Sequence, residues 1–280
     1  MTGAVAPPTP FGARLHAAMA ARGALCVGID PHPDLLHAWG LDADPTGLER
    51  FAGICVEAFA AEAAVVKPQS AFFEAYGSRG IAVLERVIAD CRAAGALVLL
   101  DVKRGDIDST MAAYADAYLA EGAPLAADAI TVSPYLGFGS LAPALDAAAK
   151  SGRGVFVLAL TSNKEGADVQ LGIGPNGRTI AQTMADSAAA RNAEARPMGS
   201  VGLVVGATTP RGELDLSRLN GPILAPGFGA QGAGPDELRA LFDGAMSHVI
   251  PASSRAILRV GPGVDALREE FRRTVATLPR

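Results

Sequence analysis

Eight short apolar runs recur along the chain, separated in most places by amphipathic stretches long enough to form a helix. The runs are Leu25–Ile29, Ala64–Val66, Ala96–Leu100, Ala129–Val132, Val155–Leu160, Val201–Val205, Pro222–Ala225 and His248–Ile250. Within a run, polar and apolar residues do not alternate. A strand of that kind is buried on both faces, as in a parallel sheet covered by helices. Helices are expected at 48–64, 79–93, 107–121, 141–149, 178–193, 235–243 and 264–277. Phe11, Leu15 and Met19, four residues apart and followed by Gly23, predict a further short helix ahead of the first strand. Residues 164–177 show no periodicity and are expected to be irregular.

Eight strand-helix repeats predict an α/β protein, a single-domain (β/α)8 barrel of the TIM type covering 11–280. The alternative is an open, doubly wound sheet. The placement of the unusual residues decides between them. Asp30, Lys67, Asp101 with Lys103, Ser162, Gln231 and Arg255 come just after six different strands. A barrel gathers the C-terminal ends of its strands at one mouth, whereas an open sheet would leave the outer residues far apart. Residues 1–10, with three prolines, are expected to be a disordered lead-in.

Half of the 280 residues are apolar, enough for a large core without metals or disulfides. A net charge of −5 argues against a nucleic-acid or anionic-membrane surface. No apolar run approaches the roughly 18 residues that span a bilayer, and the start of the chain has no secretory pattern. Cys26, Cys55 and Cys91 are odd in number and sit in apolar segments, as expected of free thiols in a reducing compartment. The expected location is the cytoplasm. The four histidines offer no metal-ligand spacing, and no metal or cofactor is expected.

The densest chemistry lies in Asp101-Val102-Lys103-Arg104-Gly105-Asp106, directly after an apolar run. Asp101 and Lys103, two apart, point to the same face at a strand end. Gly105 permits a turn that leaves Asp106 facing either the same site or a neighbouring subunit. Such a cluster is costly unless its charges pair, and a salt-bridged strand terminus is the plain alternative to a catalytic one. Lys67 is open to three readings: a Schiff-base lysine, a phosphate contact or an ion-pair partner. Beside Asp101, Lys103 and Asp106 it extends an array of alternating charge, which keeps a lysine protonated and positioned as an acid. Asp30 also has a simple role as a turn residue before Pro31.

Two G-x-G-x-x-G strings occur, Gly172–Gly177 and Gly227–Gly232. The first follows no strand and contains Pro175. The second lies late in the chain, outside any opening βαβ unit, so neither reads as a dinucleotide fingerprint. A glycine-rich loop after the seventh strand of a barrel suits a phosphate, and Arg255 after the eighth would supply its cation.

Taken together, Asp101-x-Lys103-x-x-Asp106-Ile107 with Thr110, Lys67, Asp30, the Ala225–Gly232 loop and Ser254-Arg255 resemble the orotidine 5′-phosphate decarboxylase family. Val66-Lys67-Pro68-Gln69, Phe72-Phe73-Glu74, Thr161-Ser162-Asn163 and Pro134-Tyr135-Leu136-Gly137 are similar to its longer bacterial, type 2 branch. The resemblance implies cofactor-free decarboxylation of orotidine 5′-monophosphate to uridine 5′-monophosphate. It implies Lys103 as the acid toward C6, Asp101 against the departing carboxylate, and Lys67 and Asp106 completing the charge network. It also implies Asp30 on the ribose, Ser162 on the pyrimidine, Gln231 and Arg255 toward the phosphate, and Ser254 among the substrate-binding residues. The partner implied is a second copy of the chain, a homodimer in which Asp106 and Thr110 reach across the interface. The D-x-K-x-x-D signature is shared with phosphosugar decarboxylases and aldolases. A metal-dependent enzyme of a keto-sugar phosphate, or a non-catalytic binder, therefore remains an alternative.

Overall fold

The structure, a computed structural model, describes residues 8–229 and 232–279. Eight parallel strands close into one barrel in sequence order. They are β1 (Cys26–Ile29), β2 (Val65–Pro68), β3 (Leu97–Arg104), β4 (Ala129–Val132), β5 (Gly154–Leu160), β6 (Val201–Val205), β7 (Ile223–Pro226) and β8 (Val249–Ser253). Closure comes from β8 pairing with β1, Cys26 opposite Ala252 and Val27 opposite Ser253. The fold is thus the single-domain (β/α)8 barrel, and the open sheet is excluded.

The core has two layers, because each strand sends alternate side chains inward and outward. Inward residues such as Leu99, Phe156, Leu224 and Ile250 fill the barrel, and outward ones such as Val98, Val155 and Val249 meet the helices. The helix Phe11–Arg22 closes the barrel floor, its Phe11 and Leu15 joining the inner layer. Phe11 meets Phe156 edge to face at 5.9 Å. Gly154 is required there, since a Cβ at that position would run into the Phe11 ring. Asp128, nearly fully buried, ties the floor together. It pairs with Arg14 at 2.6 Å and Arg92 at 3.6 Å, and accepts the Val98 N–H at 3.0 Å.

Several boundaries differ from expectation for local reasons. The helix expected at 48–64 is Pro45–Phe59, because Asp44 accepts the Gly47 N–H at 2.8 Å and Pro45 supplies the first-turn φ. Within 164–177, expected to be irregular, Gly166–Gln170 is a short helix, and Ile173 pairs with Thr179 across the first glycine string. That string is a turn, with Gly177 donating to the Gly174 carbonyl. The lead-in expected to be disordered lies outside the described residues as far as residue 7, and Pro8–Pro10 are exposed.

The correction that matters for function concerns β3. It does not break at Leu100 but continues through Asp101 and Lys103 to Arg104, with an irregularity in its pairing to β4 between Leu100 and Arg104. The charges are therefore mounted on a strand rather than on a loop beyond it. Arg104 anchors the strand's end through Glu74 at 2.6 Å, with its guanidinium over the Tyr114 ring.

Candidate active site

A cavity of about 300 Å³ opens at the C-terminal mouth of the barrel. Asp30, Lys67, Asp101, Lys103, Ser162, Ser254 and Arg255 all border it, together with Gly227 and Phe228 of the glycine-rich loop. Residues spread over more than two hundred positions thus share one small space, because all eight strands end at that face.

Four of them form a chain of alternating charge. Lys67 Nζ lies 3.7 Å from Asp30 Oδ1 and 3.3 Å from Asp101 Oδ2, and Lys103 Nζ lies 2.6 Å from Asp101 Oδ1. Lys67 and Asp101 are almost wholly buried, while the Lys103 side chain is 44% exposed, so Lys103 carries the more accessible of the two ammonium groups that border the cavity. Burial alone would strip the Lys67 proton, but Asp30 and Asp101 outweigh it and hold that lysine above its ordinary range. Burial likewise opposes the Asp101 carboxylate, yet Lys67 and Lys103, with hydrogen bonds from Lys103 and Thr131, keep it below its ordinary value. Both charges are therefore fixed at neutral pH.

Thr131, which sequence reasoning missed, locks this geometry. Fully buried on β4, it donates to Asp101 Oδ1 at 2.7 Å and accepts the Lys103 N–H at 3.0 Å. That second bond matters because Lys103 has φ +46°, a left-handed backbone that a non-glycine residue adopts at a cost of about 1–3 kcal/mol. Strain of this kind persists only where neighbouring contacts over-determine it. Gln69, also missed, accepts from Lys67 Nζ at 3.1 Å and steadies the array from β2's end. A hint of Thr131 was present as the single hydroxyl in Ala129-Ile130-Thr131-Val132. Threonine is a common strand former, so the hint carries little by itself.

Asp30 Oδ1, Ser253 Oγ and Ser254 Oγ are buried without a hydrogen-bond partner among the described residues, and all three residues border the cavity. Buried polar atoms of this sort are satisfied by water or by a polar ligand. Gly227 and Gly229, at φ +105° and +76°, give the loop after β7 a backbone that side-chain-bearing residues rarely adopt.

Asp106 and Thr110 do not join the cavity of their own chain. Asp106 is half-buried, its carboxylate accepting the Ile107 N–H at 2.8 Å, and Thr110 is exposed on the first turn of the helix Asp108–Leu119. Gln231 lies outside the described residues. Among the described residues, no three His, Cys, Asp or Glu side chains gather as a metal site.

Fold and site define a (β/α)8-barrel enzyme with an acid–lysine array at its mouth, of the carboxy-lyase class. The chain belongs to the orotidine 5′-phosphate decarboxylase / HUMPS family, whose family model matches residues 23–269. It is 62% identical over 266 residues to an orotidine 5′-phosphate decarboxylase of Salinispora arenicola, covering 95% of this chain and 96% of that relative. The corresponding enzyme of Streptomyces coelicolor is 59% identical over 262 residues, covering 92% and 93%. A crystal structure from Streptomyces avermitilis, assigned to the same activity, superposes with a TM-score of 0.93 at 56% identity over 99% of both chains. Leishmania donovani OMP decarboxylase gives 0.72 at 31% identity, covering 96% and 99%.

Proposed function

We propose that this enzyme decarboxylates orotidine 5′-monophosphate to uridine 5′-monophosphate without a metal or organic cofactor, Lys103 delivering the proton to C6. The observation that carries this reading is the Asp30–Lys67–Asp101–Lys103 array, with Lys103 as its accessible ammonium at the cavity. The C6–carboxylate bond breaks, CO2 leaves, and the electron pair stays on C6. A Lys103 N–H bond then breaks as its proton moves to that carbon, and solvent reprotonates the amine. No electron sink adjoins C6 in the pyrimidine, so a preorganised ammonium is the stabilising device the chemistry requires.

Asp101, fixed by Lys67, Lys103 and Thr131, stands against the substrate carboxylate and favours its departure. Asp30 engages the ribose hydroxyls, Lys67 completes the charge network, and Ser162 reaches the pyrimidine edge. The phosphate lies between the loop after β7, with Gln231, and Arg255 beyond β8, and Ser254 is a further substrate-binding residue. Binding energy gained at that remote end positions the reacting carbon. A second copy of the chain supplies Asp106 and Thr110. In support, both lie outside their own chain's cavity, and Ile107 between them is 53% exposed. The working domain is 11–280. A cytoplasmic location suits the three buried free cysteines, whose thiols burial pushes up, to about 12 for Cys26 and Cys91.

The test is the ultraviolet absorbance of orotidine 5′-monophosphate with purified protein and EDTA. A falling absorbance is expected. No change, with turnover of a keto-sugar phosphate once Mg2+ is added, would overturn the reading in favour of a metal-dependent relative.

A further inference from the structure

A second cleft, of about 380 Å³, adjoins the active-site cavity and shares a wall with it. Its lining is His32, Asp34, Leu35, Arg255 and Arg259, and Arg255 borders both spaces. Arg259 stands one helical turn beyond Arg255. Its N–H bonds back to the Arg255 carbonyl at 3.2 Å, and its Nε donates to the same oxygen at 3.2 Å, which settles where its head lies. Both arginines are exposed, and among the described residues neither is ion-paired to a carboxylate. His32 packs against Phe72 in a tilted contact, ring centroids 4.2 Å apart. Asp34 is the acidic group among the described residues that line it.

Arg255 and Arg259 stand one turn apart, about 6 Å along the helix axis between their Cα atoms, and both line this cleft. That spacing suits successive phosphates of a chain, which arginine grips with charge-assisted hydrogen bonds. The cleft meets the main cavity at Arg255, the residue read above as a contact of the substrate's single phosphate. We propose that the site accepts a pyrimidine nucleoside diphosphate, its α-phosphate at Arg255 and the loop after β7, and its β-phosphate in the second cleft against Arg259. The proposal rests on the reading of the main cavity as a pyrimidine nucleotide site. Phosphoryl transfer onto the reaction product yields such a ligand, so it would compete with substrate and report downstream nucleotide supply.

The experiment is titration calorimetry of the full chain with uridine 5′-monophosphate, uridine 5′-diphosphate and inorganic pyrophosphate, repeated for Arg259→Ala. Because Arg259 is exposed, its removal leaves the fold intact. The diphosphate is expected to bind at least as tightly as the monophosphate. Arg259→Ala is expected to weaken the diphosphate by roughly fivefold, the scale of one exposed charge pair, and to leave the monophosphate unchanged. A diphosphate tenfold weaker than the monophosphate overturns the proposal, as does an Arg259→Ala variant that shifts both nucleotides alike or neither. Pyrophosphate binding as tightly as the diphosphate, with the same dependence on Arg259, overturns the nucleoside class. Absence of monophosphate binding, together with absence of turnover, strikes the reading of the main cavity. That outcome takes the proposal with it, whereas normal turnover with a diphosphate affinity indifferent to Arg259 overturns the proposal alone.

Discussion

Replacing Thr131 by valine removes one oxygen and leaves the volume almost unchanged, so it isolates what that hydroxyl does. Two bonds vanish: the donation to Asp101 Oδ1 at 2.7 Å, and the acceptance of the Lys103 N–H at 3.0 Å. The first is charge-assisted and worth about 1.5–3 kcal/mol, and the second about 0.5–1.5 kcal/mol. Lys103 also loses the contact that holds its φ at +46°. Relaxation of that strain returns about 1 kcal/mol. The balance is a destabilisation of about 1–3 kcal/mol, read as a lowered urea midpoint with an unchanged slope. The relaxation moves the Lys103 ammonium off its position, so kcat is expected to fall on the order of a hundredfold while KM stays within about threefold, the pattern of lost transition-state positioning. Thr131→Ser retains the oxygen and is expected to restore most of both. Wild-type kcat in Thr131→Val would refute the claim that this hydroxyl fixes the array. A serine variant as impaired as valine would show that the methyl group, not the oxygen, is what matters.

Other expectations follow from the same geometry. Lys103→Ala is expected to abolish turnover while uridine 5′-monophosphate still binds in calorimetry, and loss of binding in equal measure would sink its role as the acid. Arg255→Ala is expected to raise KM by about tenfold for the phosphorylated substrate but not for the nucleoside. The Asp101 carboxylate is held below its ordinary 3.8, so its contribution to stability is present above that value and lost as pH falls through its folded one. Lys67, held above its ordinary 10.5, contributes fully below 10.5 and loses that contribution only as pH rises through its folded value. Stability is therefore expected to be level between about pH 5 and pH 9 and to drop on the acid side, with a shallower drop for Asp101→Asn in acid titrations followed by circular dichroism. Arg14→Ala, which leaves Asp128 buried with weaker partners at the barrel floor, is expected to cost about 1–3 kcal/mol in urea unfolding with kcat unchanged. A fall in kcat would show that floor and mouth are coupled.

Much of this protein is written locally in its chain. The eight apolar runs determine eight strands buried on both faces, and their number together with the helices between them determines a closed barrel. A side-chain period of two and the common mouth of a barrel then suffice to bring Asp30, Lys67, Asp101, Lys103, Ser162 and Arg255 together. What sequence could not yield depends on pairing between distant elements. Charge after an apolar run reads as a strand end, yet β3 continues through Asp101 and Lys103 because Lys67 of β2 and Thr131 of β4 meet those charges from either side. The role of Thr131 was hidden for the same reason, since a threonine in a strand is ordinary until its neighbour across the sheet is a strained lysine. Neither the second cleft beside Arg255 nor the exclusion of Asp106 and Thr110 from their own cavity follows from spacing. Local composition determines which elements form, because burial and backbone preference act residue by residue. Only closure of the barrel decides which charges neutralise one another, because electrostatic pairing depends on distances that the chain sets by folding.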